Sequence, residues 1–154
     1  MGEEQQNSAQ DFEQAVERYV AYFESLKSRD LVLLGKYFTK DARFTDPFND
    51  VTGHQEIRIV FEDMFERTEN PRFKIVHSAL CKDGHTALLR WDLLFAVKGR
   101  KQSISGMSEV SFNKDGLVVA HIDYWDPTGP IYRKVPILKQ IMSFVRKKLS
   151  AQPK

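Results

Sequence analysis

At 154 residues with 42% hydrophobic content, the chain is long enough for one domain with a sizeable core, and a 29% charged fraction beside 11 Phe, 5 Tyr and 2 Trp excludes a disordered polymer. The net charge of +2 hides an asymmetry: residues 131–154 hold seven bases and no acid, leaving 16 bases against 21 acids elsewhere. An acidic body argues against nucleic-acid binding. The single Cys81 excludes an intrachain disulfide, and no apolar run has the length of a membrane span. The polar, acidic start lacks the features of a signal peptide, so the expected location is cytoplasmic.

Residues 1–8 read as a disordered tail, and Ser8-Ala9-Gln10-Asp11 as a loose capping box opening the first helix. Phe12, Val16, Tyr19, Val20, Phe23 and Leu26 then make one buried stripe at helical spacing. A shorter helix follows over Leu31 to Phe38. Ala42-Arg43-Phe44-Thr45-Asp46-Pro47 reads as a strand in which Ala42, Phe44 and Asp46 share a face and Pro47 stops the ladder. A carboxylate at a strand end among aromatics has the makings of a base; the alternative is an acid that caps the turn before Pro47. A third helix carries Ile57, Val60, Phe61, Met64 and Phe65 on its inner side.

From Pro71 the hydrophobic period changes to two. Four runs, Arg72 to Cys81, Thr86 to Lys98, Gln102 to Phe112 and Leu117 to Trp125, are joined by short Gly-bearing links, which predicts antiparallel hairpins. Trp91, Leu93 and Phe95 share one face, as do Gly106, Ser108, Val110 and Phe112. In the last run, period alone does not decide whether Ile122 and Tyr124 or His121, Asp123 and Trp125 point inward. The fold class is α+β, helices first and a meander after. The domain spans 9–126, and 127–154 forms a basic amphipathic helix with Ile137, Leu138, Ile141, Met142, Val145 and Leu149 on its apolar stripe. Such a helix packs on its own body or a partner, or lies on an anionic membrane; packing is the commoner use of one apolar face.

The chain resembles the nuclear transport factor 2-like superfamily, in its ketosteroid isomerase and SnoaL-like branch. The matching pieces are Arg18-Tyr19-Val20 in the first long helix, Asp46-Pro47 after an alternating strand and Gly53 opening a helix with Ile57. Gly99-Arg100-Lys101 at a hairpin, and the ungapped spacing through Phe112-Asn113 to Gly116-Leu117-Val118-Val119, complete the match. The resemblance implies a cone-shaped, strongly curved sheet wrapped around a pocket and closed by three helices. It also implies an isomerase or cyclase acting through an enolate on an apolar carbonyl compound. Asp46 then stands at the position of the general base and Tyr19 at that of the oxyanion donor. Ser108 replaces a protonated aspartic acid that the isomerases use as second donor, and donates more weakly.

Asp123 and His121 would form a second polar centre, with Trp91, Phe95, Phe112 and Trp125 as substrate-binding aromatics. His121 and Asp123 could also support each other, face solvent or bind metal; two ligands do not make a metal site, so no metal or cofactor is expected. His54, His77 and His85 carry no pattern, and Cys81 reads as a buried small hydrophobe. A homodimer through the outward sheet face, bearing Leu94, Ala96, Met107, Arg90, Asp92 and Glu109, is the expected assembly. The rival function is a non-catalytic module of the same fold that binds a small molecule or a protein.

Overall fold

A computed structural model describes residues 2–127, with side chains from residue 11 onward; the C-terminal helix read over 127–154 lies almost wholly outside the described residues. Helix α1 spans Gly2–Ser25, a 3-10 helix Ser28–Lys36 and helix α2 His54–Arg67. The strands are β1 (Phe38–Thr45), β2 (Asp50–Thr52), β3 (Glu69–Leu80), β4 (Thr86–Val97), β5 (Arg100–Phe112) and β6 (Val118–Trp125). Residues 2–8, expected as a disordered tail, belong to α1. Their Glu and Gln residues are good helix formers, and acids suit the N-terminal end of the helix dipole.

One sheet of six strands runs β2-β1-β6-β5-β4-β3. The β3–β4–β5–β6 meander is antiparallel, as the Gly-bearing links predict. Strand β1 joins it beside β6 in parallel, Phe44 opposite His121 and Thr45 opposite Ile122. This long-range pairing brings the N-terminal third of the chain against its last strand. The sheet is curved and unclosed, and its edge at β3 is blunted. Pro71 stands near its start, the register shifts between Ile75 and His77, and a Glu24 carboxylate oxygen accepts the Ile75 N–H at 2.9 Å. Among the described residues no helix is long and apolar enough to cross a membrane.

The core lies between the helices and one sheet face. From α1 come Val16, Tyr19 and Phe23, from the residue just after it Leu26, from α2 Ile57 and Phe61, and from the sheet Phe44, Leu89, Trp91, Val110 and Phe112. Strand β6 combines the two faces left open by its sequence. Val118 and His121, three residues apart, are both buried because Ser111 pairs with Ala120 but Phe112 with Val118, which leaves Val119 as an extra residue. That bulge changes the phase of the strand. Downstream, His121 and Asp123 face inward while Tyr124 is exposed. Cys81, expected to be buried, is half-buried beside its hairpin.

Phe44 joins the two parts of the molecule, its ring 5.3 Å from Phe61 and 5.0 Å from His121 between centroids. Phe44→Ala should lower the unfolding free energy by about 3–5 kcal/mol, as a fully buried aromatic deletion does. Urea denaturation measures it; a loss below ~1 kcal/mol would place Phe44 outside the core.

Candidate active site

The inward phase of β6 points His121 and Asp123 at residues contributed by α1, β4 and β5. His121 is 4% exposed and boxed by Tyr19, Phe23 and Phe44. Its Nε2 lies 2.7 Å from Asp123 Oδ1, and its Nδ1 lies 2.7 Å from the Tyr19 hydroxyl. A carboxylate only accepts, so Nε2 donates in that bond; in the tautomer that leaves Nδ1 bare, the Tyr19 hydroxyl donates to it. On the other side the Ser108 hydroxyl donates to Asp123 Oδ1 at 2.5 Å, and the Trp91 indole N–H donates to Ser108 Oγ at 2.8 Å. Five side chains from four elements thus form one line, Tyr19–His121–Asp123–Ser108–Trp91. Both bonds to Asp123 fall on Oδ1, and its side chain keeps 13% exposure against 5% for His121.

Burial, then the charge of Asp123, then Tyr22 hold the Tyr19 phenol well above its ordinary range. Tyr19 therefore stays protonated and supports His121. The oxyanion-donor role read for Tyr19 and Ser108 meets an obstacle in this geometry, because each hydroxyl has one hydrogen and each uses it inside the line. Phe112 and Trp91 are packed in the core, Phe112 edge-on to Tyr19 at 6.0 Å and Trp91 edge-on to Phe73 at 5.7 Å.

Asp46 differs from its expected setting. The strand ends at Thr45, and Asp46 Oδ1 accepts the N–H groups of Phe48 and Asn49 at 2.7 Å and the Asn49 side-chain amide at 3.0 Å. The same amide reaches Oδ2 at 3.0 Å. Pro47 ends the ladder, and the next N–H groups take the nearest carboxylate instead. Asp46 is half-buried and forms a turn cap, the alternative its sequence carried from the start. The turn brings Phe48 within 5.4 Å of Trp125, centroid to centroid, at 64°.

A cleft of about 960 Å³ opens further along the sheet, where Phe95 and Gln102 meet Phe65, Pro71, Lys27 and Arg72. Of the six side chains read as substrate-binding, Phe95 is the one on its wall. Gln102 is roughly 20 Å of strand from Ser108, so the cleft and the polar line mark different levels of the same sheet. Among the described residues no cluster of three or more His, Cys, Asp or Glu stands close enough to hold a metal ion.

A three-helix layer over a curved, mostly antiparallel sheet, with polar side chains on its inner face, defines the nuclear transport factor 2-like architecture. Solved structures of that architecture superpose on the chain. One is an NTF2-like protein of unknown function from Burkholderia pseudomallei, at 18% identity and a TM-score of 0.67, covering 82% of this chain and 98% of the other. Another is a putative isomerase of the SnoaL-like family from Agrobacterium tumefaciens, at 20% identity and 0.60, covering 76% and 98%. A third is an LEH-like epoxide hydrolase from M. tuberculosis, at 15% identity and 0.63, covering 94% and 96%. No curated protein matches the sequence. The SnoaL-like domain model matches residues 16–121, more than half of the chain, and the protein belongs to that family.

The raised Tyr19 ionisation has a consequence for stability. The unfolded chain releases this proton near pH 10, whereas the folded chain keeps it, so stability is intact below that pH and declines as pH rises through it. Tyr19→Phe should flatten the decline in urea titrations between pH 8 and 11, and cost about 1 kcal/mol at neutral pH from the lost hydrogen bond. Tyr22, raised by burial and by Tyr37 and Asp30, keeps its own share. Equal slopes in wild type and variant would contradict the assignment.

Proposed function

We propose that the protein is a small-molecule acid–base enzyme of the isomerase or cyclase type. Asp123 is the carboxylate that moves a proton at carbon beside the carbonyl of an apolar substrate. The observation that carries this reading is the asymmetry of Asp123, whose Oδ1 receives both Ser108 and His121 while no described donor reaches Oδ2. Two donors fix the plane of the carboxylate and leave one oxygen for the bound molecule. His121, held by Tyr19, is the partner that orients it. Solved structures of the same fold, described as a putative isomerase of the SnoaL-like family and an LEH-like epoxide hydrolase, support proton chemistry on this scaffold. The cone around a pocket belongs to this reading.

A second reading has its own support. Asp46 caps its turn and the hydrogens of Tyr19 and Ser108 are engaged, which suits a non-catalytic module that binds an apolar ligand with Asp123 as its polar anchor.

Deuterium uptake by 2-tetralone in D2O, followed by NMR, separates the two. The enzyme reading expects accelerated exchange by wild type and a loss of a hundredfold or more in Asp123→Asn, with ligand affinity retained. Asp46→Asn should stay within a few-fold of wild type. If Asp46→Asn loses the exchange and Asp123→Asn keeps it, the base is Asp46. If wild type binds 2-tetralone without accelerating exchange, the binding module is the better description.

The expected homodimer is part of the same proposal. The outward sheet face exposes Leu88, Met107 and Tyr124, and Arg90 pairs with Asp92 on its own strand at 2.7 Å. Sedimentation at micromolar concentration should show a dimer, and Met107→Lys with Tyr124→Lys a monomer. A monomeric wild type would end the dimer proposal.

A further inference from the structure

We infer that Trp91 is a positioning residue of the Asp123 centre: its indole N–H, seated over Gly106, fixes the one Ser108 hydrogen on Asp123 Oδ1 and reserves Oδ2 for the bound molecule. This inference rests on Asp123 being the functional carboxylate. By its sequence Trp91 is one more aromatic on an inward strand face, equivalent to Leu93 or Phe95. The structure gives it a task those residues cannot perform.

An indole N–H donates and never accepts. Ser108 Oγ, 2.8 Å from Trp91 Nε1, must therefore be the acceptor of that bond. A serine hydroxyl has one hydrogen and rotates freely unless something fixes it. With the indole in place, the hydrogen goes to Asp123 Oδ1, 2.5 Å away. Ser108 is 2% exposed, so water does not compete for either bond. Replacing the indole by a phenyl ring would preserve most of the packing and free the hydroxyl to turn elsewhere.

Gly106 is what lets the indole reach. It stands opposite Trp91 on one side and Trp125 on the other. A Cβ at this position would come within 2.4 Å of Trp91 Cζ2 and 2.5 Å of Cη2, and within 3.0 Å of Trp125 Cβ. No side chain fits there without moving the ring. Glycine inside a strand usually weakens it, and close approach by another group is one of the reasons it is kept. Phe73 holds the indole edge-on at 5.7 Å. Spacer, ring, hydroxyl and carboxylate thus form one device, built across β4, β5 and β6 and backed by Phe73 of β3.

The test reads the Trp91 indole N–H directly, by NMR of the full-length protein. In wild type this proton should be shifted downfield and exchange slowly with solvent. Ser108→Ala should shift it upfield and speed its exchange, and Asp123→Asn, two bonds away, should also shift it. A Trp91 that serves packing alone would not respond to Asp123→Asn, and that outcome overturns the inference. Kinetics of 2-tetralone exchange give the second arm. Trp91→Phe should lower kcat about five- to tenfold, the equivalent of one neutral hydrogen bond, with KM unchanged. Trp91→Phe combined with Ser108→Ala should be no slower than Ser108→Ala alone. Additive losses, or a wild-type kcat in Trp91→Phe, would overturn it. A wild type with no exchange activity would count against the acid–base reading, while the Trp91 N–H responses would still decide the positioning role.

Discussion

A carboxylate facing the inside of a protein constrains everything near it, and Asp123 is such a group. Desolvating an acid without partners costs several kcal/mol, so the fold must deliver donors to it or expose it. Here two donors converge on one oxygen, His121 from the same strand and Ser108 from the next. Each donor is itself held by an aromatic residue with a polar atom, Tyr19 or Trp91. The arrangement is directional from both ends, since a protonated phenol and an indole N–H both donate toward the centre. A half-satisfied line of this kind would destabilise the core, whereas a satisfied one fixes ring orientation and hydroxyl rotamer together.

Meeting that constraint shapes the secondary structure. The extra residue in β6 puts Val118 on the inner face and still leaves His121 and Asp123 there. Without it, Val118 and His121 would lie on opposite sides. The parallel pairing of β1 with β6 then places Phe44 against the imidazole, and α1 brings Tyr19 and Phe23 over the top. Among the described residues the rings of Tyr19, Phe23 and Phe44 pack around the imidazole. Gly106 leaves the space for Trp91, and its position opposite that residue follows from the uninterrupted register of the β4–β5 hairpin.

The same architecture occurs in solved structures described as a putative isomerase, an LEH-like epoxide hydrolase and a protein of unknown function, at 15–20% identity. A shared fold at that distance transmits a scaffold rather than a reaction. In this chain two carboxylates have different settings. Asp46 is taken up by two backbone N–H groups left free by Pro47, and Asp123 keeps an oxygen unassigned. Two carboxylates that look alike in sequence therefore have different freedom to react.

The order of the helices and of the strands other than β2, the meander, the apolar stripe of α1 and the two faces of β4 and β5 are legible in the residues alone. These follow from periods of 3.6 and two and from glycine at the hairpins, all of which are local properties. The resemblance in Arg18-Tyr19-Val20, Asp46-Pro47 and the hairpin spacing was enough to name the superfamily. The packed sheet alone settled which face of β6 is inside, because a bulge changes the phase of a strand without leaving a signal in hydrophobicity. Tertiary packing also decided that Tyr19 meets His121, 102 positions away, and that the Trp91 indole N–H reaches Ser108 on the next strand. The direction of a hydrogen bond depends on partners from other strands and helices, and no spacing along one strand contains that information.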